Sequence, residues 1–221
     1  MGHSGLNRVQ ERIAAAAADA GRSDPITLVV VAKSASDEAL QTVIEEGAVC
    51  IGENRADAFV ARAGRFRDVS WHFVGRLQGN KVRKVRPVTD LLHAMDRPDL
   101  AEYWGREAGG LPPVLIQVNL AGEPQKAGVP PEEVSSLVEK CVTIGIEVHG
   151  LMMVPPRPDT GTDSARWFAA LRQLRDRVVR DHPRVRELSM GMTDDFPIAV
   201  AEGATILRVG RAIFDPFHNE G

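Results

Sequence analysis

A lysine directly after an apolar run is the first residue in this sequence that could carry covalent chemistry. Lys33 follows the run Leu28–Ala32. Partial desolvation and nearby cations would lower the pKa of such a lysine, so its neutral amine could attack an aldehyde and form a Schiff base. Arg208 is the candidate for the neighbouring cation. The commoner alternative is a lysine whose side chain simply extends from a strand end into water.

A second candidate site lies in two glycine-containing segments near the carboxyl end of the sequence. In barrels of alternating strands and helices, the loops after strands seven and eight often bind phosphate through backbone N–H groups. Gly191 and Gly210 would allow close backbone approach, while Thr193 and Arg211 add a hydroxyl and a positive charge. Alternatively, the glycines only let helices pack closely on strands. The two segments are Leu188–Thr193 and Arg208–Arg211.

The lysine and the two glycine segments together predict a ligand that is both an aldehyde and a phosphate ester. Pyridoxal 5′-phosphate is the common cofactor of that description. We therefore expect this cofactor to be bound as a covalent imine to Lys33.

Positioning these groups requires a scaffold, and the sequence alternates apolar, strand-like runs with segments of helical periodicity. Val134, Leu137, Val138 and Cys141 follow the i, i+3, i+4, i+7 spacing of one helix face. The strand candidates are Ile26–Ala32, Ala48–Gly52, Trp71–Gly75, Leu91–Met95, Val114–Leu120, Val148–Val154, Glu187–Met192 and Thr205–Gly210.

Eight strands interleaved with helices predict an α/β fold, a (β/α)8 TIM barrel, with the active site where the strands end. The apolar run before Lys33 does not alternate with polar residues, as is typical of a parallel strand covered on both faces. The rival is an open doubly wound sheet, which would favour a glycine fingerprint after the first strand, and none occurs there. We expect residues 1–221 to form a single domain, with an extra helix before the first strand. Barrel closure would bring Lys33 and Arg208 to one mouth.

Composition excludes several classes of function. The 221 residues carry a formal net charge of −3, which gives no reason to expect binding to nucleic acid or to an anionic membrane. No apolar run approaches the ~20 residues of a membrane helix, and the first residues lack a secretory signal pattern. Cys50 and Cys141 are the only cysteines, which predicts reduced, buried thiols and a cytoplasmic protein. We expect a monomer.

Three isolated histidines raise the alternative of a metal-dependent barrel hydrolase. His72, His93 and His149 all fall in strand candidates. Neither a His-x-His pair nor a His-Glu-x-x-His motif accompanies them. We therefore interpret them as hydrogen-bonded core or pocket residues and expect no bound metal.

Seven segments, in this order along the chain, resemble the pyridoxal phosphate homeostasis proteins, which are single-domain relatives of the alanine racemase barrel. The resemblance runs from about Lys33 to Phe214, and the third and sixth segments are its most specific motifs. The segments are Val31–Lys33, Gly52–Asn54, Trp71–Lys81, Ile116–Asn119, Gly150–Met152, Leu188–Met192 and Val209–Phe214.

The resemblance implies a role for each matching residue. Lys33 matches the lysine that holds the cofactor as an imine, Arg208 the arginine facing the pyridine nitrogen, and Asn54 an asparagine of the pocket. The residues that fall on the phosphate-binding loops are Ser189, Met192, Thr193, Gly210 and Arg211.

Three positions depart from the family pattern. The family commonly has serine in place of Thr193, threonine in place of Arg211 and tyrosine in place of Arg55. The first change keeps a hydroxyl. The second leaves two possibilities for Arg211, either a charged donor to the phosphate or a side chain that points to solvent.

The resemblance implies a carrier or regulator of pyridoxal phosphate without appreciable turnover, with enzymes that use the cofactor as possible partners. The alternative is a pyridoxal-phosphate-dependent racemase or lyase acting on amino acids. Related racemases use a tyrosine from an additional domain as second base, whereas Tyr103, the only tyrosine here, falls outside the expected mouth. A cation beside the pyridine nitrogen also disfavours its protonation and weakens the ring as an electron sink. We therefore expect no catalytic residues.

Overall fold

Eight parallel strands close into a barrel in the order of the sequence, β1-β2-β3-β4-β5-β6-β7-β8. The structure is a computed structural model that describes residues 4–33, 35–106, 110–123, 125–156 and 163–215. The expected TIM barrel is thus confirmed, and each predicted strand is present. The strands are β1 Thr27–Val31, β2 Cys50–Glu53, β3 Ser70–Phe73, β4 Leu91–Met95, β5 Val114–Gln117, β6 Val148–Met152, β7 Glu187–Ser189 and β8 Ile206–Val209.

Helices surround the barrel, and the expected extra helix precedes β1. This helix, α1, buries Leu6 and Val9 and packs against the last two helices of the described chain. Short 3₁₀ turns occupy residues 79–81, 86–88 and 131–133. The helices are α1 Gly5–Asp19, α2 Asp37–Glu45, α3 Ala56–Arg65, α4 Val82–Val85, α5 Pro98–Arg106, α6 Val134–Ile144, α7 Asp163–Val178, α8 Phe196–Ala201 and α9 Arg211–Phe214.

The barrel interior and the layer between strands and helices form one apolar core. All five residues of β4 and all four of β5 are buried, as expected for strands covered on both faces. The predicted fifth strand is longer than the observed one because Val118 leaves the ladder and bridges Val129. Cys50 and Cys141 are buried free thiols, and burial raises the pKa of each to about 12, which makes them unreactive.

Closure between β1 and β8 sets the geometry of the mouth. Val29 pairs with Arg208 and Val30 with Val209, so the strand that leads to Lys33 lies beside the strand that carries the arginine. The carboxyl ends of the strands share one face of the barrel, where TIM barrels place their sites. Among the described residues, no helix is both long enough and apolar enough to cross a membrane.

Candidate functional site

Lys33 lies at the carboxyl end of β1, in the turn that leads to α2. Its side chain is exposed, whereas the preceding residue, Ala32, is fully buried. Ser36 ends this turn as the N-cap of α2, and its hydroxyl oxygen accepts the N–H of Ala39 at 3.2 Å. The lysine is therefore presented to the barrel mouth by a short connection fixed at both ends.

An arginine of α3 holds the backbone on both sides of this lysine. Arg62 donates to the carbonyl of Ala32 at 2.8 Å and to that of Ala35 at 2.6 Å. The same guanidinium pairs with Glu53 and with Asp37, each at 3.0 Å. Two carboxylates therefore orient the arginine, and the arginine orients the lysine turn.

The end of β2 supports the same turn from a second side. The fully buried carboxylate of Glu53 accepts the backbone N–H groups of Asn54, at 2.7 Å, and Arg55, at 3.1 Å. Arg55 in turn donates to the carbonyl of Lys33 at 3.3 Å. The side chain of Asn54 is exposed at this strand end. The structure therefore places Asn54 near Lys33, as the sequence predicts.

Arg208 is a buried cation with neutral hydrogen-bond partners. It is 5% exposed and donates to the Ser189 hydroxyl at 2.5 Å and to the Met153 carbonyl at 2.8 Å. No carboxylate within the described residues forms an ion pair with it. Burial lowers its pKa to about 10, while the charge of Asp195 opposes that shift. The guanidinium has five N–H groups, so donors remain for a further acceptor at the mouth.

Behind Arg208, a chain of buried side chains crosses the barrel interior. The Ser189 hydroxyl lies 2.9 Å from Nδ1 of His93, and Nε2 of His93 lies 2.9 Å from Nδ1 of His72. Burial lowers the pKa of His72 to about 4 and that of His93 well below its usual range, so both rings are neutral. The interpretation of these two histidines as hydrogen-bonded interior residues is confirmed.

The polarity of this relay, Arg208–Ser189–His93–His72, follows from its first member. An arginine only donates, so the Ser189 oxygen accepts. If the serine proton goes to Nδ1 of His93, and the His93 Nε2–H to Nδ1 of His72, the protons of Ser189 and His93 both have acceptors within the relay. With this assignment Ser189 has no proton left for a phosphate, and its contribution is to hold Arg208.

Replacing His72 with glutamine should flatten the acid dependence of stability. The unfolded chain binds a proton at this histidine near pH 6.5 and the folded chain only near pH 4, so the free energy of unfolding falls as pH drops through that window. Between pH 7 and 4.5 this loss amounts to about 2 kcal/mol. The charge of Asp90 acts on His72 and raises its pKa, which opposes the effect of burial. The hydrogen-bond partner of His72, His93, is neutral and adds no charge.

Urea unfolding of the wild type and His72→Gln at both pH values measures this difference. Carboxylate titrations are common to both proteins and cancel in the comparison. His149→Gln controls for the loss of a histidine outside the relay, since His149 is partly exposed and bonds Glu147 at 3.1 Å. Equal pH slopes for wild type and His72→Gln would contradict the buried, neutral state of His72.

The glycines in the loops after β7 and β8 pack closely against neighbouring elements. Gly191 has φ +91°, and a Cβ there would lie 2.6 Å from that of Ala199. A Cβ on Gly210 would lie 2.7 Å from the Val31 carbonyl oxygen. Thr193 is buried, and its hydroxyl lies 3.4 Å from the N–H of the second residue of α9. Only glycine fits at these two positions without displacing neighbours.

Two further residues of these loops interact with aspartates. The N–H of Met192 donates to Asp195 at 2.7 Å. Burial raises the pKa of Asp195, while its hydrogen bond with Met192 opposes the shift. Arg211 is exposed and forms an ion pair with Asp194 at the surface. Of the two possibilities left open for Arg211, this geometry favours the solvent-facing side chain, with only its backbone N–H directed to the loop.

The sequence did not predict the residues that support the site from elements distant along the chain. Arg62 belongs to no motif, and Glu53 is noted only within the segment Gly52–Asn54, without its ion pair to Arg62. The relay joins His93 to Ser189 across 96 positions. In the described part of the chain, no group of three His, Cys, Asp or Glu side chains has a metal-binding arrangement.

A closed barrel of eight parallel strands gives this chain the TIM-barrel fold, with a lysine after β1 and a buried arginine on β8. Alanine racemase from Corynebacterium glutamicum superposes with a TM-score of 0.68 at 18% identity, covering 92% of this chain and 58% of that one. No family model matches the sequence.

Sequence relatives narrow the class to one family. A pyridoxal phosphate homeostasis protein of Aquifex aeolicus is 37% identical over 217 residues, covering 95% of both chains. That of Escherichia coli K12 is 34% identical over 222 residues, 95% of this chain and 94% of the relative. The chain therefore belongs to the pyridoxal phosphate homeostasis protein family, and the resemblance predicted from the sequence is confirmed.

A solved relative agrees with this assignment. PipY of Synechococcus elongatus, in a structure with pyridoxal phosphate bound, has a TM-score of 0.80 and 33% identity. The match covers 91% of this chain and 99% of that one.

Proposed function

We propose that this chain binds pyridoxal 5′-phosphate, holds it covalently through Lys33, and serves its homeostasis. The observation that carries the proposal is the buried Arg208, whose partners are neutral and whose strand lies beside the one that leads to Lys33. The family name and the ligand bound to PipY support the same cofactor.

The residues present fit this cofactor. A buried guanidinium with spare donors suits the neutral, accepting nitrogen of a pyridine ring. The lysine at the end of β1 suits an aldehyde, and the glycine loops suit a phosphate. When bound, the cofactor supplies an electrophilic carbon that a primary amine can attack. The residues proposed to hold it are Lys33, Asn54, Ser189, Met192, Thr193, Arg208, Gly210 and Arg211.

We propose different roles for the members of this set. Lys33 provides the covalent attachment, and Arg208 donates to the ring nitrogen while keeping a proton off it. Ser189 acts through Arg208. Gly210 and Arg211 offer backbone N–H groups to the phosphate. The side chain of Arg211 takes no part, because it is paired with Asp194.

A carrier is favoured over a racemase or lyase by two features of the described chain. Arg208 puts a positive charge, not a carboxylate, next to the ring nitrogen, which weakens the ring as an electron sink. Tyr103, the only tyrosine of the sequence, lies on the outer helix α5 and not on a barrel strand. Because a decarboxylase and a racemase share this barrel fold, the enzymatic alternative requires a direct test.

The loaded protein should show a yellow absorption band that borohydride removes, and it should not racemise alanine. The cofactor link and the lack of turnover are tested together by absorption spectroscopy and by chiral analysis of alanine incubated with the same sample. Ordinary enzymes turn over at roughly 1–10³ s⁻¹. Rates in that range would favour the racemase alternative, and a colourless protein after cofactor addition would contradict the proposal.

We further propose that residues 1–221 form one domain, that the protein is a cytoplasmic monomer, and that enzymes using the cofactor are its partners. A single closed barrel extends from β1 to β8, which supports the first point. The buried, unreactive thiols agree with a reducing compartment.

A further inference from the structure

A cavity of about 970 Å³ opens at the carboxyl ends of β2 and β3, beside the lysine turn. Its lining is strongly basic. The ionisable side chains that line it are Arg55, Asp57, Arg76, Lys81 and Arg97. None of these residues belongs to the proposed cofactor set, whose glycine loops follow β7 and β8.

A buried carboxylate holds one of these cations in place and contacts a second. Asp96 follows β4, and its side chain is 3% exposed. It pairs with Arg97, and it lies 3.5 Å from Nε of Arg76. Arg97 also donates to the Leu77 carbonyl at 2.8 Å. Arg97 therefore keeps further donors for a ligand and loses little conformational freedom when it binds one, whereas Arg76 remains 69% exposed beside the same carboxylate.

The charges around the cavity do not balance. Four cations face one lining acid, Asp57, which pairs with Lys81 at 3.1 Å. Counting Asp96 as well, four positive charges against two negative ones leave an excess of two. Arg55 stands where the family commonly has tyrosine, and among the described residues its side chain bonds only to the neutral carbonyl of Lys33, at 3.3 Å. A concave surface with excess positive charge concentrates anions.

We propose that this cavity is a binding site for a small organic dianion, recognised through its carboxylate or phosphate groups. The volume lies in the range of small-molecule sites, roughly 300–1,000 Å³, which favours a metabolite over a protein surface. Arg55 and Arg76 contribute the most exposed charges, and Arg97 the most constrained one. Because Arg55 also bonds the Lys33 carbonyl, the ligand would lie directly beside the cofactor-bearing turn.

Isothermal titration of the cofactor-free protein with succinate and, separately, with inorganic phosphate at low ionic strength tests the site. Each probe should bind saturably, and Arg76→Gln should weaken binding at least tenfold, as should Arg55→Tyr. Arg180→Gln is the matched control, because it removes one exposed positive charge away from the cavity. It should change the affinity by less than twofold. The tighter probe identifies the ligand as a carboxylate or a phosphate.

Three results would overturn the proposal: non-saturable binding of both probes, equal weakening by Arg180→Gln and Arg76→Gln, or tighter binding of a hexaglutamate peptide than of either small probe. The last would indicate an acidic protein partner instead. The titration is repeated with Lys33→Ala and with Gly210→Ala, which alter the covalent and the phosphate-binding parts of the proposed cofactor site and do not line the cavity. Retained binding in both variants separates this site from the proposed cofactor site, whichever of the two proposals fails.

Discussion

Replacing Lys33 with alanine should abolish the yellow band and leave the fold intact. No other lysine extends from the turn after β1, so the covalent link to the cofactor should be lost and affinity should fall by orders of magnitude. The lysine side chain is exposed, and substitutions at such positions change stability by about 0.5 kcal/mol or less. Absorption spectra of loaded wild type and variant, together with urea unfolding, measure both effects.

Mass mapping of the borohydride-reduced protein locates the attachment. The adduct should be on the peptide that contains Lys33. Lys81→Ala is the matched control, because Lys81 also lies near the carboxyl ends of the strands, where it pairs with Asp57. This variant should keep the adduct. Attachment only at Lys81 or Lys126 would show that the lysine of β1 is not the carrier residue.

The scaffold could be predicted because its signals are local. Each strand is a short apolar run, and β4 coincides with its predicted bounds, Leu91–Met95. Four strands were predicted two or three residues too long at their carboxyl ends, where apolar residues continue after the ladder has ended. The observed ends are Phe73, Gln117, Met152 and Ser189. Apolar character marks burial, and it does not distinguish a ladder residue from a buried residue just beyond it.

The supports of the site could not be predicted, since they depend on side-chain directions between elements distant in sequence. Arg62 reaches the Ala32 carbonyl across 30 positions, and the Ser189 hydroxyl meets both Arg208 and His93. The motifs locate Lys33 and Arg208 at the mouth. They carry no information about the hydrogen bonds that fix the lysine turn.

Pyridoxal without its phosphate should bind at least ~100-fold more weakly than pyridoxal 5′-phosphate, a difference of about 2.7 kcal/mol. The phosphate carries about −1.5 to −2 charges at neutral pH. Backbone N–H groups near Gly191 and Gly210, with the hydroxyl of Thr193, would lose charge-assisted hydrogen bonds worth roughly 1.5–3 kcal/mol each. Both ligands can react with Lys33, so equilibrium titrations followed by absorption isolate the phosphate contribution. Equal affinities would refute the phosphate site.

Arg211→Thr then decides how the loop after β8 contributes. The guanidinium is exposed and paired with Asp194, so its removal should leave the affinity for pyridoxal 5′-phosphate within about twofold and its salt dependence unchanged. Gly210→Ala is the contrasting variant, because its new methyl group would lie 2.7 Å from the Val31 carbonyl and displace the backbone that faces the phosphate. It should weaken the phosphorylated ligand and leave pyridoxal nearly unaffected. A marked loss of affinity in Arg211→Thr, with reduced salt sensitivity, would instead mean that the arginine leaves Asp194 to bind the phosphate.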